Sequence, residues 1–186
     1  MPPGAAIDLT PPRFVEGLAD WFCGAGASGG ADAAPGRARL VAADPDFGAC
    51  LELRKLEPEQ RLRYMGELPI RSGARVEIRL RLRLIHGPAT LARVAATPGA
   101  AGGVILAGLP ACGAAMALPA DGAPATLRLV VGREPGPGVD LVWDARALYA
   151  HVGLDLLGPC GGVVRVADLA AREIGLRVLP GFQPRA

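Results

Sequence analysis

The sequence predicts an all-β protein folded as a jelly-roll β-sandwich. Residues 75–85 alternate strictly between apolar and charged side chains, which is typical of a strand with one buried face. About ten short candidate strands recur along the chain at spacings near ten residues, with turns between them. The 26 glycines and 18 prolines are spread along the chain and disfavour long helices.

The alternation in residues 75–85 determines the register of this strand. The apolar positions share one parity: Val76, Ile78, Leu80, Leu82 and Leu84. The charged positions share the other parity: Glu77, Arg79, Arg81 and Arg83. A slip of one residue would bury three arginines, so we expect the apolar side chains to face the core.

The other segments extend the same pattern. Candidate strands occupy residues 38–43, 50–55, 61–65, 91–97, 104–106, 111–118, 126–132, 139–143, 150–156, 163–169 and 173–179. Residues 14–22 fit either a helical turn or a first strand. We predict an N-terminal arm at residues 1–13, disordered or lying on another subunit, one sandwich domain at residues 14–179, and a tail at residues 180–186.

Composition excludes several classes of protein. The net charge is +2, so nothing indicates nucleic-acid binding. The N-terminus lacks the basic and apolar regions of a signal peptide. The uncharged run between Arg93 and Asp121 contains Pro98, Pro110 and Pro119, which argues against a membrane span.

The four cysteines give no sign of a metal site. Cys23, Cys50, Cys112 and Cys160 are far apart and form no C-x-x-C pair. Buried free thiols are the favoured interpretation, and a disulfide stays open. We predict no cofactor and no metal site; a structural calcium ion is compatible with the aspartates, but no motif indicates one.

The arginine row Arg79, Arg81 and Arg83 has three interpretations. It is a solvated sheet face, a contact between subunits, or a groove for an anionic polymer such as an acidic polysaccharide. Arg61 and Arg63 would extend such a groove if their strand lies nearby. Binding in either of the last two cases would weaken with salt.

Flat side chains that could stack on sugar rings cluster in one place. Trp143, Tyr149 and His151 lie at a predicted strand–loop–strand junction, and they are our candidate glycan-binding residues. Trp21 and Tyr64 are weaker candidates. For the tryptophans, a core position is the favoured alternative, since Trp143 shares its parity with Val139 and Leu141.

No motif for catalysis occurs in the sequence, so we predict that the protein is not an enzyme. The alternative is a polysaccharide lyase or glycosidase with paired carboxylates. Its candidate residues are Asp140, Asp144, Asp155 and Asp168. Aspartates more commonly cap turns or lie in solvent at the edges of sheets.

Several spaced phrases resemble one family. They are FVEGLADW (14–21), ADPDFGACLEL (43–53), QRLRYMGELPI (60–70), GVDLVW (138–143), YAHVGLDL (149–156) and GGVVRV (161–166). Together they are similar to the jelly-roll module at the N-terminus of alphaproteobacterial pectate-lyase-like proteins. They also resemble the head-spike proteins of phage-like gene transfer agents from that group.

The resemblance implies a carbohydrate-binding type of sandwich. We expect no catalytic β-helix behind it, which departs from the lyase-like architecture and favours a stand-alone spike. The resemblance implies a spike on the surface of a phage-like particle, assembled in the cytoplasm, that supports adhesion to the recipient cell's surface polysaccharide. Expected partners are the capsid, other spike or fibre proteins, further copies of this chain and the polysaccharide. The alternative is a free-standing carbohydrate-binding module.

Overall fold

The computed structural model describes residues 6–24 and 37–174. Nearly all regular structure in these residues is β-strand, arranged as two sheets packed face to face. The predicted all-β jelly-roll sandwich is confirmed. Two 3₁₀ helices, Phe14–Glu16 and Ala101–Gly103, are the helical elements of the described residues, and no helix there is long and apolar enough to cross a membrane.

The strands are numbered in chain order. They are β1 (Ile7–Asp8), β2 (Trp21–Gly24), β3 (Ala38–Asp44), β4 (Gly48–Arg54), β5 (Glu59–Tyr64), β6 (Leu68–Pro69), β7 (Arg75–His86), β8 (Leu91–Ala100), β9 (Val104–Ile105), β10 (Met116–Ala117), β11 (Ala125–Gly132), β12 (Leu141–Val142), β13 (Tyr149–Leu157), β14 (Val163–Val166) and β15 (Ala170–Ile174).

The first sheet is built around β7, the strand with the strict alternation. Strand β11 pairs antiparallel along one side of β7, and β12 extends this side. On the other side, β15 pairs with the first half of β7 and β14 with the second half. Beyond β14 lie β4 and β3, and beyond β15 lies β1.

The second sheet is built around β13. Strand β8 pairs along one side of β13, while β5 and β6 pair along the other. Strand β2 lies outside β5. The far side of β8 carries two-residue strands β9 and β10 and a single bridge between Ala95 and Cys112.

The core lies between the two sheets and is apolar. The predicted inward residues of β7, from Val76 to Leu84, are each at most 4% exposed. From the second sheet, Val94, Leu62 and Leu154 face them. The alternation in residues 75–85 therefore indicated both the strand and its buried face correctly.

Several predicted boundaries differ from the structure; the candidate strand at residues 111–118, for example, is reduced to β10 (Met116–Ala117). Strand β8 continues through Pro98 to Ala100, although the prediction ended it at residue 97. Proline lacks an N–H, but the far side of β8 is paired only by short strands, where a missing donor is tolerated. The carbonyl of Pro98 still accepts a hydrogen bond from the Leu106 N–H at 2.9 Å.

The described part of the predicted arm, residues 6–13, lies on the chain's own first sheet. Ile7 and Asp8 pair with β15, and the Leu9 N–H donates to the Ala171 carbonyl at 2.9 Å. Arg13 forms an ion pair with Asp168 at 2.8 Å. The predicted tail at residues 180–186 and the end of the predicted last strand lie outside the described residues.

Candidate functional site

The outward side of the first sheet carries arginines from five strands, and we call it the arginine face. Its members are Arg39, Arg79, Arg81, Arg83, Arg128, Arg165 and Arg172. Those on β7, β11, β14 and β15 face outward because each occupies the parity opposite to a buried apolar residue, and Arg39 lies opposite Glu52 on the neighbouring strand β4. The neighbours of β7 therefore add arginines to the row that the sequence predicted.

One buried carboxylate, Glu77, organises half of this face. It is 4% exposed and accepts hydrogen bonds from Arg128 at 2.6 Å, Arg172 at 2.8 Å and Arg79 at 3.1 Å. Burial raises the pKa of Glu77, but the hydrogen bonds from Arg128, Arg172 and Arg79 outweigh this effect and lower it to about 2. The carboxylate is therefore ionised at neutral pH and neutralises part of the positive charge.

Two further carboxylates organise the other half. Asp44 accepts hydrogen bonds from Arg83 and Arg165, and Glu52 accepts from Arg39 and Arg165. Burial raises the pKa of Asp44, but bonds from Arg165, the Asp46 N–H and Arg83 lower it from 3.8 to about 2. Arginine and carboxylate thus alternate across the strands, and six of the seven arginines of this face pair with a carboxylate.

The three arginines of the predicted row have different environments. Arg79 pairs with Glu77, and Arg83 pairs with Asp44 and Asp46. Arg81 is exposed, its guanidinium lies 5.1 Å from the Phe47 ring centroid, and no carboxylate of the described residues pairs with it. Its cation–π contact leaves the donors available, so Arg81 is the member of the row most open to a partner.

The outward side of the second sheet differs in character, and we call it the aromatic face. Tyr149 and His151 are two residues apart on β13 and point outward together, with ring centroids 5.2 Å apart and planes at 72°. The Tyr149 ring lies over Gly99, where a Cβ atom would be 2.1 Å from its Cζ. Glycine at position 99 therefore makes room for the tyrosine ring.

Two polar atoms on the aromatic face have no hydrogen-bond partner. Tyr149 Oη and His151 Nδ1 are both buried, and no atom of the described residues pairs with either. A buried unpaired polar group costs free energy, so most such groups in proteins have partners. Both unpaired atoms belong to the contacting pair of rings, and since solvent reaches neither atom, a ligand that hydrogen-bonds to them requires a rotation of the rings.

Next to these rings lies a buried ion cluster centred on Asp155. Its carboxylate accepts hydrogen bonds from Arg63 and Arg93 and from the Cys112 thiol, whose Sγ is 3.4 Å away. Arg63 also donates to the Leu154 carbonyl at 2.9 Å, and Gly153 lets the backbone at Leu62 and Arg63 approach closely. Burial raises the pKa of Asp155, but the charges of Arg63 and its hydrogen bonds with Arg63 and Arg93 lower it overall.

Trp143 does not share the aromatic face with Tyr149 and His151. It is 1% exposed, belongs to the core, and donates from Nε1 to the Pro110 carbonyl at 2.7 Å. This placement agrees with the core alternative for tryptophan, because a sugar ring cannot reach a side chain buried between the sheets. The candidate site therefore retains Tyr149 and His151.

Trp21 and Tyr64, the weaker candidates, form an aromatic cluster of their own. The Trp21 ring centroid is 4.8 Å from that of Phe14 and 5.4 Å from that of Tyr64. Trp21 is 2% exposed, and Tyr64 is partly buried against the core. Their packing holds the 3₁₀ helix Phe14–Glu16 and β2 against β5.

The four aspartates of the enzyme alternative each have a structural partner. Asp140 accepts from the Val130 N–H, Asp144 from Arg146, and Asp168 from Arg13 and the Phe14 N–H. Asp155 lies in the ion cluster on the other sheet. Each carboxylate is bonded to a different part of the chain, an arrangement typical of turn caps and ion pairs.

The cysteines are free thiols in four settings. Cys23 and Cys50 are buried, Cys112 is half-buried, and Cys160 is exposed, so burial was predicted correctly for the first two. Burial raises the pKa of Cys23, Cys50 and Cys112. In residues 6–24 and 37–174, no three of the cysteine, histidine and acidic side chains are grouped as a metal site would require.

Sequence reasoning missed the carboxylates that neutralise the arginines. The signal was present in β14, where Arg165 alternates with Val164 and Val166, and in β11, where Arg128 alternates with Leu127 and Leu129. This alternation could not show which carboxylate each arginine pairs with, because the ion pairs depend on the order of the strands in the sheet. Arg63 also lies on the opposite sheet from β7 and does not extend its arginine row.

Comparison with known proteins gives a match in structure. No family model matches the chain. No curated protein matches its sequence either. Among solved structures, the CBM22-1 xylan-binding domain of Paenibacillus barcinonensis Xyn10C matches with a TM-score of 0.59 and 14% sequence identity, over 92% of this chain and 97% of that one.

Two further structures match across most of the chain. The C-terminal family 22 carbohydrate-binding module of Clostridium thermocellum Xyn10B has a TM-score of 0.58 and 11% identity, over 90% of this chain and 93% of that one. A family 11 module from Clostridium thermocellum, in complex with a β-1,3-1,4-mixed-linked tetrasaccharide, has a TM-score of 0.50 and 16% identity, over 92% and 98%. At such identities the likeness is one of fold: this chain shares the β-sandwich fold of carbohydrate-binding modules.

Proposed function

We propose that this protein is a non-enzymatic carbohydrate-binding protein that binds polysaccharide on its aromatic face. The observation that carries the proposal is the pair of unpaired buried atoms, Tyr149 Oη and His151 Nδ1, on contacting rings. Sugar hydroxyls are both donors and acceptors, so one sugar residue could satisfy both atoms. The likeness of the fold to xylan-binding and mixed-linkage-glucan-binding modules supports the same conclusion.

The remaining residues of this face suit a polar, neutral ligand. Thr97 is level with His151 on the neighbouring strand and adds a hydroxyl. The ion cluster of Asp155 with Arg63 and Arg93 provides a rigid polar border, because both arginines are held by the carboxylate. Rings beside fixed polar groups are the usual composition of a small-ligand site.

Catalysis is disfavoured by the state of the carboxylates. A glycosidase needs one carboxyl group that gives up or takes a proton near neutral pH. The pKa of Asp155 is lowered, as is that of Asp144, whose hydrogen bonds with Arg146 stabilise the charged form. With a lowered pKa, neither carboxyl group carries a proton near neutral pH, so neither can act as a general acid. This supports a binding role.

At a finer level, we propose that the protein is a head-spike component of a phage-like particle of the gene-transfer-agent type. The support is the resemblance of its spaced phrases to that family, among them residues 43–53 and 149–156. In this role the protein would form an oligomer on the capsid, with other spike or fibre proteins. It would support adhesion of the particle to the recipient cell's surface polysaccharide.

The binding proposal is tested with purified protein and defined polysaccharides. Affinity electrophoresis or calorimetry would compare xylan, mixed-linkage β-glucan and an acidic capsule polysaccharide, using wild type, His151→Ala and Tyr149→Ala. We expect about a tenfold loss of affinity for each variant, equal to ~1.4 kcal/mol. Arg81→Ala, exposed on the opposite sheet, is the matched control and should bind like wild type.

Two outcomes would contradict the binding proposal. If no polysaccharide binds, or if Arg81→Ala weakens binding while the aromatic-face variants do not, the aromatic face is not the site. Shortening of the polysaccharide by the wild type, abolished in Asp155→Asn or Asp140→Asn, would support the enzyme alternative instead.

The spike role needs a separate experiment with particles. Particles made with and without this protein would be compared by electron microscopy and by adsorption to recipient cells. We expect loss of a surface projection and of adsorption when the protein is absent. A monomer that binds polysaccharide but does not co-purify with particles would support the alternative of a free-standing carbohydrate-binding module.

A further inference from the structure

The outward side of the first sheet has a depression at the end of β4, β7 and β14. Its volume is about 440 Å³, and its charged and polar lining residues are Arg39, Glu52, Arg54, Lys55, His86 and Arg165. Val163 lies at its base and is 7% exposed. Four of its five charged lining residues are cationic: Arg39, Arg54, Lys55 and Arg165.

An irregularity in strand pairing forms this depression. Val163 of β14 pairs with His86, while the next residue, Val164, pairs with Leu84, so Ile85 has no opposite residue. Such β-bulges bend a strand and redirect its side chains, and they are frequent beside functional sites. The following turn is tight: a Cβ atom at Gly87 would lie 2.7 Å from the Gly161 carbonyl oxygen.

The charges around the depression do not cancel. Glu52 is its carboxylate, and each of its oxygens already accepts from an arginine: Oε1 from Arg39 at 2.6 Å and Oε2 from Arg165 at 3.1 Å. Arg39 uses Nε for this bond, and its side chain is 63% exposed. Arg54 is exposed and pairs with no carboxylate of the described residues. Two guanidinium groups therefore retain donors for a further anion.

A second source of positive charge lies behind the depression. Lys55, the single lysine of the chain, is fully buried, and its ammonium donates to the carbonyls of Glu57, Pro58 and Gly158. Burial lowers the pKa of Lys55, and carbonyl oxygens satisfy its donors without neutralising its charge. No carboxylate of the described residues forms an ion pair with it, so its charge adds to the field at the depression.

A depression of the same volume elsewhere on this sheet provides a contrast. It lies beside β1 and is lined by Glu77, Arg79, Arg172 and Asp8. There the two arginines both donate to Glu77, and Asp8 adds a second negative charge. Its lining is balanced, whereas the depression near Arg54 has an excess of cations.

We propose that the depression bordered by Arg39, Arg54 and Arg165 binds a small oxyanion, either a sugar carboxylate or a phosphate group. An arginine fork suits the two oxygens of such a group, and bonds to charged acceptors are the stronger class of hydrogen bond. The site lies on the opposite sheet from Tyr149 and His151. It does not depend on the proposed binding of polysaccharide at the aromatic face, and the two can fail separately.

The test is a titration followed by NMR, using the signals of the arginine Nε–H groups. The probes are inorganic phosphate and D-glucuronate, each against chloride at constant ionic strength. We expect saturable shifts for Arg39 and Arg54 with at least one probe. Arg54→Gln should weaken binding about fivefold, the loss of one charge-assisted contact. Arg81→Gln removes the same charge from an exposed position on the same sheet and should bind like wild type.

The two probes separate the two sources of the oxyanion. Saturation by glucuronate alone assigns the site to acidic sugars, and saturation by phosphate alone assigns it to phosphate esters. Arg39→Gln gives a second, independent test and should also weaken binding. The proposal is overturned if no probe gives a saturable shift, if chloride has the same effect, or if Arg81→Gln weakens binding as much as Arg54→Gln.

Discussion

The arginine face and the aromatic face arise from the same two-residue alternation, yet they have opposite chemistry. On the arginine face, Glu77, Asp44 and Glu52 each accept bonds from two or three guanidinium groups. On the aromatic face, Tyr149 and His151 present polar atoms that no described residue satisfies. Except at Arg81 and around Arg54, the first face pairs its own charges, whereas the second keeps polar atoms without a partner.

This difference between the two faces shows that a row of arginines in a sequence is weak evidence for a surface that binds polyanions. Arg79 and Arg83 look available in the sequence, but strands distant along the chain bring carboxylates to them. Donors already committed to an ion pair gain little from a new partner. Binding is better inferred from polar atoms that remain unpaired after folding, as at Tyr149 and Arg54.

The largest expected effect comes from removing Asp155, the buried carboxylate of the aromatic face. Asp155→Ala should destabilise the protein by about 3–5 kcal/mol, because the buried Arg63 would lose its carboxylate and Arg93 would keep only Glu59, at 3.6 Å. Urea unfolding at neutral pH measures this loss. Asp121→Ala, in an exposed turn where the carboxylate accepts from the Ala123 N–H at 3.0 Å, is the control and should lose at most about 1 kcal/mol. An equal loss in both variants would contradict the central role of the Asp155 ion cluster.

A pH-dependent effect is expected on the arginine face. Asp44→Asn should cost about 2–3 kcal/mol at neutral pH, because Arg83 and Arg165 lose a charged acceptor. The pKa of Asp44 is lowered from 3.8 to about 2, so its contribution is complete above 3.8 and disappears as the pH falls through 2.

Urea unfolding of wild type and Asp44→Asn between pH 6 and 2 measures this dependence. The gap in stability between the two proteins should close as the medium becomes acidic. A gap that stays constant over this range would show that Asp44 stabilises the fold by packing rather than by its charge.

A smaller effect separates stability from binding on the aromatic face. Tyr149→Phe removes a buried hydroxyl without a partner, so the free protein should be unchanged or stabilised by up to ~1 kcal/mol. Affinity for polysaccharide should fall, because the ligand loses the Oη contact. Thermal unfolding and calorimetry measure the two quantities. Lower stability in this variant would mean that Oη has a partner within the protein.

The smallest effect is expected at Arg81, on the arginine face. Arg81→Ala should change the free energy of unfolding by no more than about 0.5 kcal/mol, because the side chain is exposed and its main contact is the Phe47 ring. Urea unfolding checks this value. A loss as large as that of Asp44→Asn would indicate that Arg81 belongs to the ion-pair network.

Much of the fold could be predicted from single strands. The parity of residues 76–84 indicates the buried face of β7, and turns rich in proline and glycine separate the strands. Tyr149 and His151 could be predicted to share a surface, because they are two residues apart on one strand. The parity that Trp143 shares with Leu141 already favoured a core position, and Trp143 is 1% exposed in the structure.

By itself, the sequence determined which residues of each strand face the core, because alternation with a period of two is a local property of the backbone. Only the tertiary structure decided what the outward residues meet. Glu77 meets Arg128 and Arg172, and Asp155 meets Arg63 and Arg93, across strands that are far apart along the chain. The order of strands in a sheet depends on long-range pairing, which no local pattern encodes.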